Sequence, residues 1–115
     1  MIVDLVSENK DGSEFSLHLI EGDPWDDTEM PTKLRRIQDR IYDAIDIALD
    51  GKLAQKYPDS KGKLVNIVVR LQGKYPRQAV ELVTGLNKLI ISSGEYQAEI
   101  AKSSFVSGIL ISCKG

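Results

Sequence analysis

The sequence contains one cysteine, Cys113, and one histidine, His18, among its 115 residues. A lone cysteine forms no internal disulfide, so a reducing compartment, the cytoplasm, is the expected setting. One thiol and one imidazole cannot supply the usual zinc ligand sets. Cys113 has no His, Asn or Asp beside it in sequence to promote a thiolate, and it reads as a small apolar residue rather than a nucleophile. A Ser-His-Asp triad would have to use His18. That residue alternates with core-pointing leucines, so solvent exposure or a partner contact is expected of it rather than catalysis.

Long apolar runs are missing too. Leu86 to Ile91 is interrupted by Asn87 and Lys88, and nothing approaches the roughly 18–20 apolar residues of a membrane span. Met1-Ile2-Val3-Asp4 has an acid where a secretory leader needs bases, so no signal peptide is expected. Gly12, Gly22 and Gly51 are isolated, and neither G-x-G-x-x-G nor G-K-[ST] occurs, which excludes the common phosphate loops. Aromatic residues make up only 6% of the chain. Lys52, Lys56, Lys61, Lys63, Lys74 and Arg77 cluster around loops and could touch phosphates. The central apolar strand nevertheless lacks the aromatic pattern of an RNA-binding sheet, so nucleic acid is not the expected partner. No motif points to a small-molecule substrate or a cofactor.

What is present is a chain with ordinary apolar and charged fractions, 42% and 28%. That composition and length predict one folded domain, residues 1–115, large enough to bury a core without a metal or disulfide. The net charge of −2 hides an asymmetry. Residues 1–29 hold nine acids and one base, a charge of −8, which leaves +6 on the rest. Such a distribution bears on partners and association rates rather than on fold.

The hydrophobic periodicity predicts the elements. Ile2 to Val6 and Glu14 to Ile20 read as strands joined by the turn residues Glu8 to Gly12, hence a hairpin. Met30, Leu34, Ile37, Ile41, Ala44, Ile45 and Ala48 form one helical stripe, which Gly51 terminates. In that helix Arg36 and Arg40 are each expected to meet an acid three or four residues away. Leu64 to Leu71 reads as a central strand covered on both faces, or nearly so. A second helix carries Ala79, Val80, Leu82, Val83, Leu86, Leu89 and Ile90, with Pro76 in its first turn and Ser92-Ser93-Gly94 as its stop. Gly85 lies inside it, and close packing against the sheet is the expected reason. Glu95 to Ile100 alternates and reads as a strand, hairpinned to a last strand from Phe105 to Cys113. The predicted class is α+β. Its order is β-β-α-β-α-β-β, in a two-layer sandwich with two helices on one face of a mixed, mostly antiparallel sheet.

The unusual chemistry lies between Glu21 and Glu29. Glu21, Asp23, Asp26, Asp27 and Glu29 surround Trp25, the only tryptophan. Hard cations favour carboxylate oxygens, but the spacing does not match a calcium loop. Paired carboxylates could also serve acid–base chemistry. A solvated helix cap, with Trp25 packed as a lid over the core, is the plainer alternative.

Asp23-Pro24-Trp25-Asp26-Asp27 before a long helix, and Tyr57-Pro58-Asp59-Ser60-Lys61-Gly62 before a buried strand, resemble a family of short bacterial proteins without assigned function. The resemblance covers roughly residues 1–100. Phe105 to Gly115 extends past the family pattern, and the family implies no catalytic residues. In type, though not in motif, the chain also resembles bacterial immunity proteins. Acidic side chains that occupy a nuclease's phosphate site, with an aromatic anchor, suit that role and need no catalysis. The functional expectation is therefore a non-enzymatic, protein-binding module: an immunity protein, or antitoxin, that neutralises a basic toxin domain such as a nuclease. Its interface would use Glu21, Asp23, Trp25, Asp26, Asp27 and Glu29. A small metal-dependent or carboxylate-based enzyme and a nucleic-acid-binding protein are the alternatives.

Overall fold

The computed structural model describes residues 3–26 and 28–115. Ile2, the expected start of the first strand, and Asp27 lie outside the described residues. The fold is α+β, with a four-stranded sheet in the order β1-β2-β3-β4. The strands are β1 (Leu5–Glu8), β2 (Glu14–Glu21), β3 (Lys63–Leu71) and β4 (Val106–Lys114). β1 and β2 form the expected antiparallel hairpin. β2 pairs with β3 in parallel, and β3 with β4 in parallel. The sheet is therefore mixed but mostly parallel, which corrects the antiparallel expectation.

Helix α1 (Met30–Leu49) links β2 to β3, followed by a short helix α2 (Lys52–Lys56) and a 3-10 turn at Pro58–Ser60. The sequence gives α2 only a loop's polarity, and its single buried residue is Leu53. Helices α3 (Arg77–Ser92) and α4 (Gly94–Lys102) link β3 to β4. The two β-α-β crossovers step along the sheet in the same direction. Because such crossovers are right-handed, their helices cover the same face.

The strand expected at Glu95–Ile100 is helix α4. Tyr96 and Ile100 satisfy a helical i,i+4 spacing as well as a strand's alternation. The side chain preceding them decides: the Ser93 hydroxyl accepts a hydrogen bond from Tyr96 N at 3.3 Å, an N-cap. Ile100 is then buried against the core.

That core joins odd-numbered positions of β2, β3 and β4, including Leu17, Leu19, Val65, Ile67, Val69, Ile109 and Ile111, to the helix stripes. Ile37, Ile41, Ala44, Ile45 and Ala48 come from α1, and Ala79, Val83, Leu86 and Ile90 from α3. Burying such side chains contributes roughly 1.5–3 kcal/mol each before chain entropy is counted. Gly51 ends α1 at a φ of +85°, with the Phe105 ring lying directly over it. Gly85 is exposed, and a Cβ there would meet nothing within 4 Å, so sheet packing is not its reason.

The even-numbered positions of β2 and β3, those of β4 from Gly108 onward, and the odd-numbered positions of β1 face away from the helices. Leu5, Ile20 and Leu110 are exposed there. His18 shares this face but is buried rather than solvent-exposed. Its ring is held between Ser7 Oγ, 2.8 Å from Nε2, and Arg70 Nε, which donates to Nδ1 at 2.9 Å.

Candidate functional site

The acidic segment leaves the end of β2 and enters α1. It lies where the parallel strands finish, a common location for binding sites in sheets of this kind. Its five described candidate residues have different surroundings.

Glu21 occupies a helix-facing position of β2 and is almost fully buried. Its carboxylate accepts from Arg36 and, at 2.9 Å, from Arg40 Nη1. Arg40 Nη2 also donates to Asp4 at 2.8 Å, and Asp4 accepts from Ile20 N at 2.7 Å. The Ile20 amide, with the Arg40 guanidinium behind it, holds the Asp4 carboxyl below its ordinary range. Arg36 and Arg40 thus bind acids far away in sequence, not the helical neighbours expected of them. Glu21 is withdrawn from the surface because two guanidinium groups neutralise it beneath the start of α1.

Trp25 is half-buried and packs on the core. Its indole N–H donates to the Gln72 carbonyl at 2.7 Å, which ties the loop to the end of β3. The Lys33 ammonium sits 4.1 Å from the centroid of the tryptophan rings. It donates to the carbonyls of Gly22 and Pro24, at 2.9 Å for the latter. Lys33 is buried although it is charged. Carbonyl dipoles and the indole face take the place of water around it.

Asp23 is exposed, lies over Gly73 and accepts from Lys74 N at 3.4 Å. Gly73 has a φ of +74°, and a Cβ there would overlap the Asp23 carboxylate. Asp26 is exposed and accepts from Glu29 N at 2.9 Å, folding the chain into α1. Glu29 is exposed at the N-cap position. A cleft of about 280 Å³ runs past Pro24, Asp26, Glu29, Thr32, Lys33 and Arg36. Asp27 falls outside the described residues.

The structure therefore gathers Asp23, Asp26 and Glu29 on an exposed loop, turns Trp25 into its anchor, and removes Glu21. The hydrogen bonds that Asp23 and Asp26 accept come from backbone amides. Exposed carboxylates arranged in this way attract and orient a cationic surface. Among the described residues, no group of three or more His, Cys, Asp or Glu side chains could hold a metal ion. No helix of the described residues is long and apolar enough to cross a membrane.

Lys33 is the residue that periodicity missed. A signal was present, because Lys33, Ile37 and Ile41 follow i,i+4 spacing and place a cation in the apolar stripe. The basic cluster read from the sequence is divided by the fold. Lys61 and Lys63 precede or open β3, while Lys74 and Arg77 follow it, and nine strand residues span roughly 30 Å.

A model described as a family of unknown function (DUF6572) matches residues 1–103, so the chain belongs to that family. β4 lies beyond the matched span. No curated protein and no solved structure matches the chain.

Proposed function

We propose that this DUF6572 chain is a protein-binding module that docks a basic partner on its acidic loop. The carrying observation is the stapled loop. Asp23, Asp26 and Glu29 are exposed, while Trp25 and Lys33 fix the backbone that displays them. A pre-organised anionic surface loses little entropy on binding, and its field accelerates encounter with a cationic partner. The concrete form of this reading is an immunity protein, an antitoxin that covers the phosphate-binding surface of a bacterial nuclease toxin.

The test is to co-express the chain with any nuclease toxin domain found encoded beside its gene and to follow association by stopped-flow kinetics. Protection of the cells and saturable binding support the reading. The double variant Asp26→Lys/Glu29→Lys is expected to slow association by about tenfold or more and to flatten its salt dependence. Absence of binding and protection overturns the immunity role. Association unchanged by the double reversal overturns the loop as the interface.

A further inference from the structure

The carboxyl end of the open sheet face carries an arrangement that the acidic loop does not explain. Arg70 of β3 and Lys114 of β4 are register partners on adjacent parallel strands. Both are even-numbered positions on the face away from the helices. Neighbouring strands lie only about 4.8 Å apart, and like charges directly across a sheet destabilise it. Among the described residues, neither cation forms an ion pair with a carboxylate side chain. The fold thus sets two positive charges side by side, with no side-chain carboxylate paired to either among the described residues.

Arg70 is held in a particular way. Its Nε donates to His18 Nδ1 at 2.9 Å, and His18 is braced in turn by Ser7. The guanidinium is fixed at its inner nitrogen, and the two terminal nitrogens make no hydrogen bond among the described residues. A fork presented in this way suits two parallel bonds to one oxyanion. Arg70, Gly73, Tyr75, Lys114 and Gly115 are among the residues that line a cavity of about 330 Å³. This volume is at the low end for small-molecule sites and exceeds what a lone oxyanion needs. Tyr75 is among the exposed large side chains. Its ring forms a wall of the same cavity, and its hydroxyl lies against Gly115.

We infer that this cavity binds the phosphate group of a small phosphate monoester. Arg70 and Lys114 would balance its two negative charges, Tyr75 would donate to it, and the ring would lie along the carbon portion. The fork, which suits two oxygens of one group, separates this ligand from a halide. The positive potential is already felt by its neighbour. Burial first, and then the charges of Arg70 and Lys114, hold the His18 imidazole below its ordinary pKa.

His18 is the only histidine, so its ring protons report on this corner without ambiguity in a nuclear magnetic resonance titration. Inorganic phosphate and adenosine monophosphate, added at constant pH and ionic strength, are expected to shift the His18 ring and Gly73 amide signals saturably. Adenosine and succinate are expected to leave them unmoved. Arg70→Gln and, separately, Lys114→Gln are each expected to weaken phosphate binding by about tenfold or more, since each removes a charge-assisted contact. Lys114→Gln leaves the His18–Arg70 contact in place, so it tests the site without disturbing that support. Absence of a saturable shift with either phosphate compound overturns the inference. So does equal binding by both variants, or a response to adenosine or succinate matching that to the phosphate compounds.

Discussion

The Trp25 indole N–H donates to the Gln72 carbonyl at 2.7 Å, across 47 positions of sequence. This bond joins the loop after β2 to the loop after β3, and the Lys33 ammonium lies against the other side of the same contact. The acidic loop is therefore part of the sheet's end. Its three exposed carboxylates inherit their positions from a tryptophan and a lysine.

Replacing Lys33 with methionine keeps the length of the side chain but strips the Gly22 and Pro24 carbonyls of their donor. Lys33→Met is expected to lower the unfolding free energy by about 1–3 kcal/mol. Trp25 is the sole tryptophan, so its emission should shift to longer wavelength as the loop loosens. Urea titration followed by fluorescence measures both effects. Unchanged stability and emission would show that the loop does not depend on Lys33.

Glu21 is expected to matter to folding more than to recognition. Glu21→Gln leaves Arg36 and Arg40 facing a neutral amide. Loss of a buried partner costs about 3–5 kcal/mol; because Arg36 is 60% exposed, about 2–3 kcal/mol is expected here. Asp4 adds an acid-sensitive component. Its folded pKa lies below the unfolded 3.8, so its contribution is present above that value and is lost as pH falls through the folded pKa. Asp4→Asn should flatten the low-pH limb of the stability curve, as read by chemical denaturation.

His18 should make stability depend on pH in a higher window. Because Nδ1 accepts from Arg70, the neutral ring carries its hydrogen on Nε2 and donates it to Ser7. Its folded pKa lies below the unfolded 6.5. Above 6.5 both states are neutral and its effect is nil. As pH falls below that value the unfolded chain takes up the proton first, and stability drops until the folded pKa is reached. Urea midpoints between about pH 8 and pH 5.5 should fall in the wild type more steeply than in His18→Gln. Parallel curves would contradict the assignment.

Two glycines are expected to respond oppositely to alanine. Gly85→Ala places a methyl group in open space on a helix and should stabilise by about 0.5–1 kcal/mol. Gly51→Ala meets a left-handed backbone and the Phe105 ring 2.7 Å away, and should destabilise by about 2 kcal/mol. Thermal denaturation of the two variants provides the comparison.

Much of this fold was legible because its signals are local. The spacing of Ile37, Ile41, Ala44, Ile45 and Ala48 specifies α1, and the alternation of Phe15, Leu17 and Leu19 specifies β2. Gly51 marks its helix end for the same reason the structure uses it, tolerance of positive φ. Tyr96 and Ile100 misled because residues four apart fit a period of two and one of nearly four alike, while Ala98 between them turns out exposed. Reading them as a strand created a hairpin with β4 that does not exist. Once α4 is a helix, β2-α1-β3-α3-β4 becomes an alternating series, and parallel pairing follows from right-handed crossovers.

The acidic segment was legible as composition but not as surface. Residue order shows that Glu21, Asp23, Asp26 and Glu29 are acids near a tryptophan, and it determines their shared negative field. Only the tertiary structure decides that Glu21 is neutralised inside by Arg36 and Arg40 while the other three face water. The same holds for Arg70 and Lys114, 44 positions apart in sequence and side by side in the sheet. Periodicity is set by each residue's own backbone geometry and can be read along the chain. The partner of a charge is set by which strands and helices meet, and that is known only when they have packed.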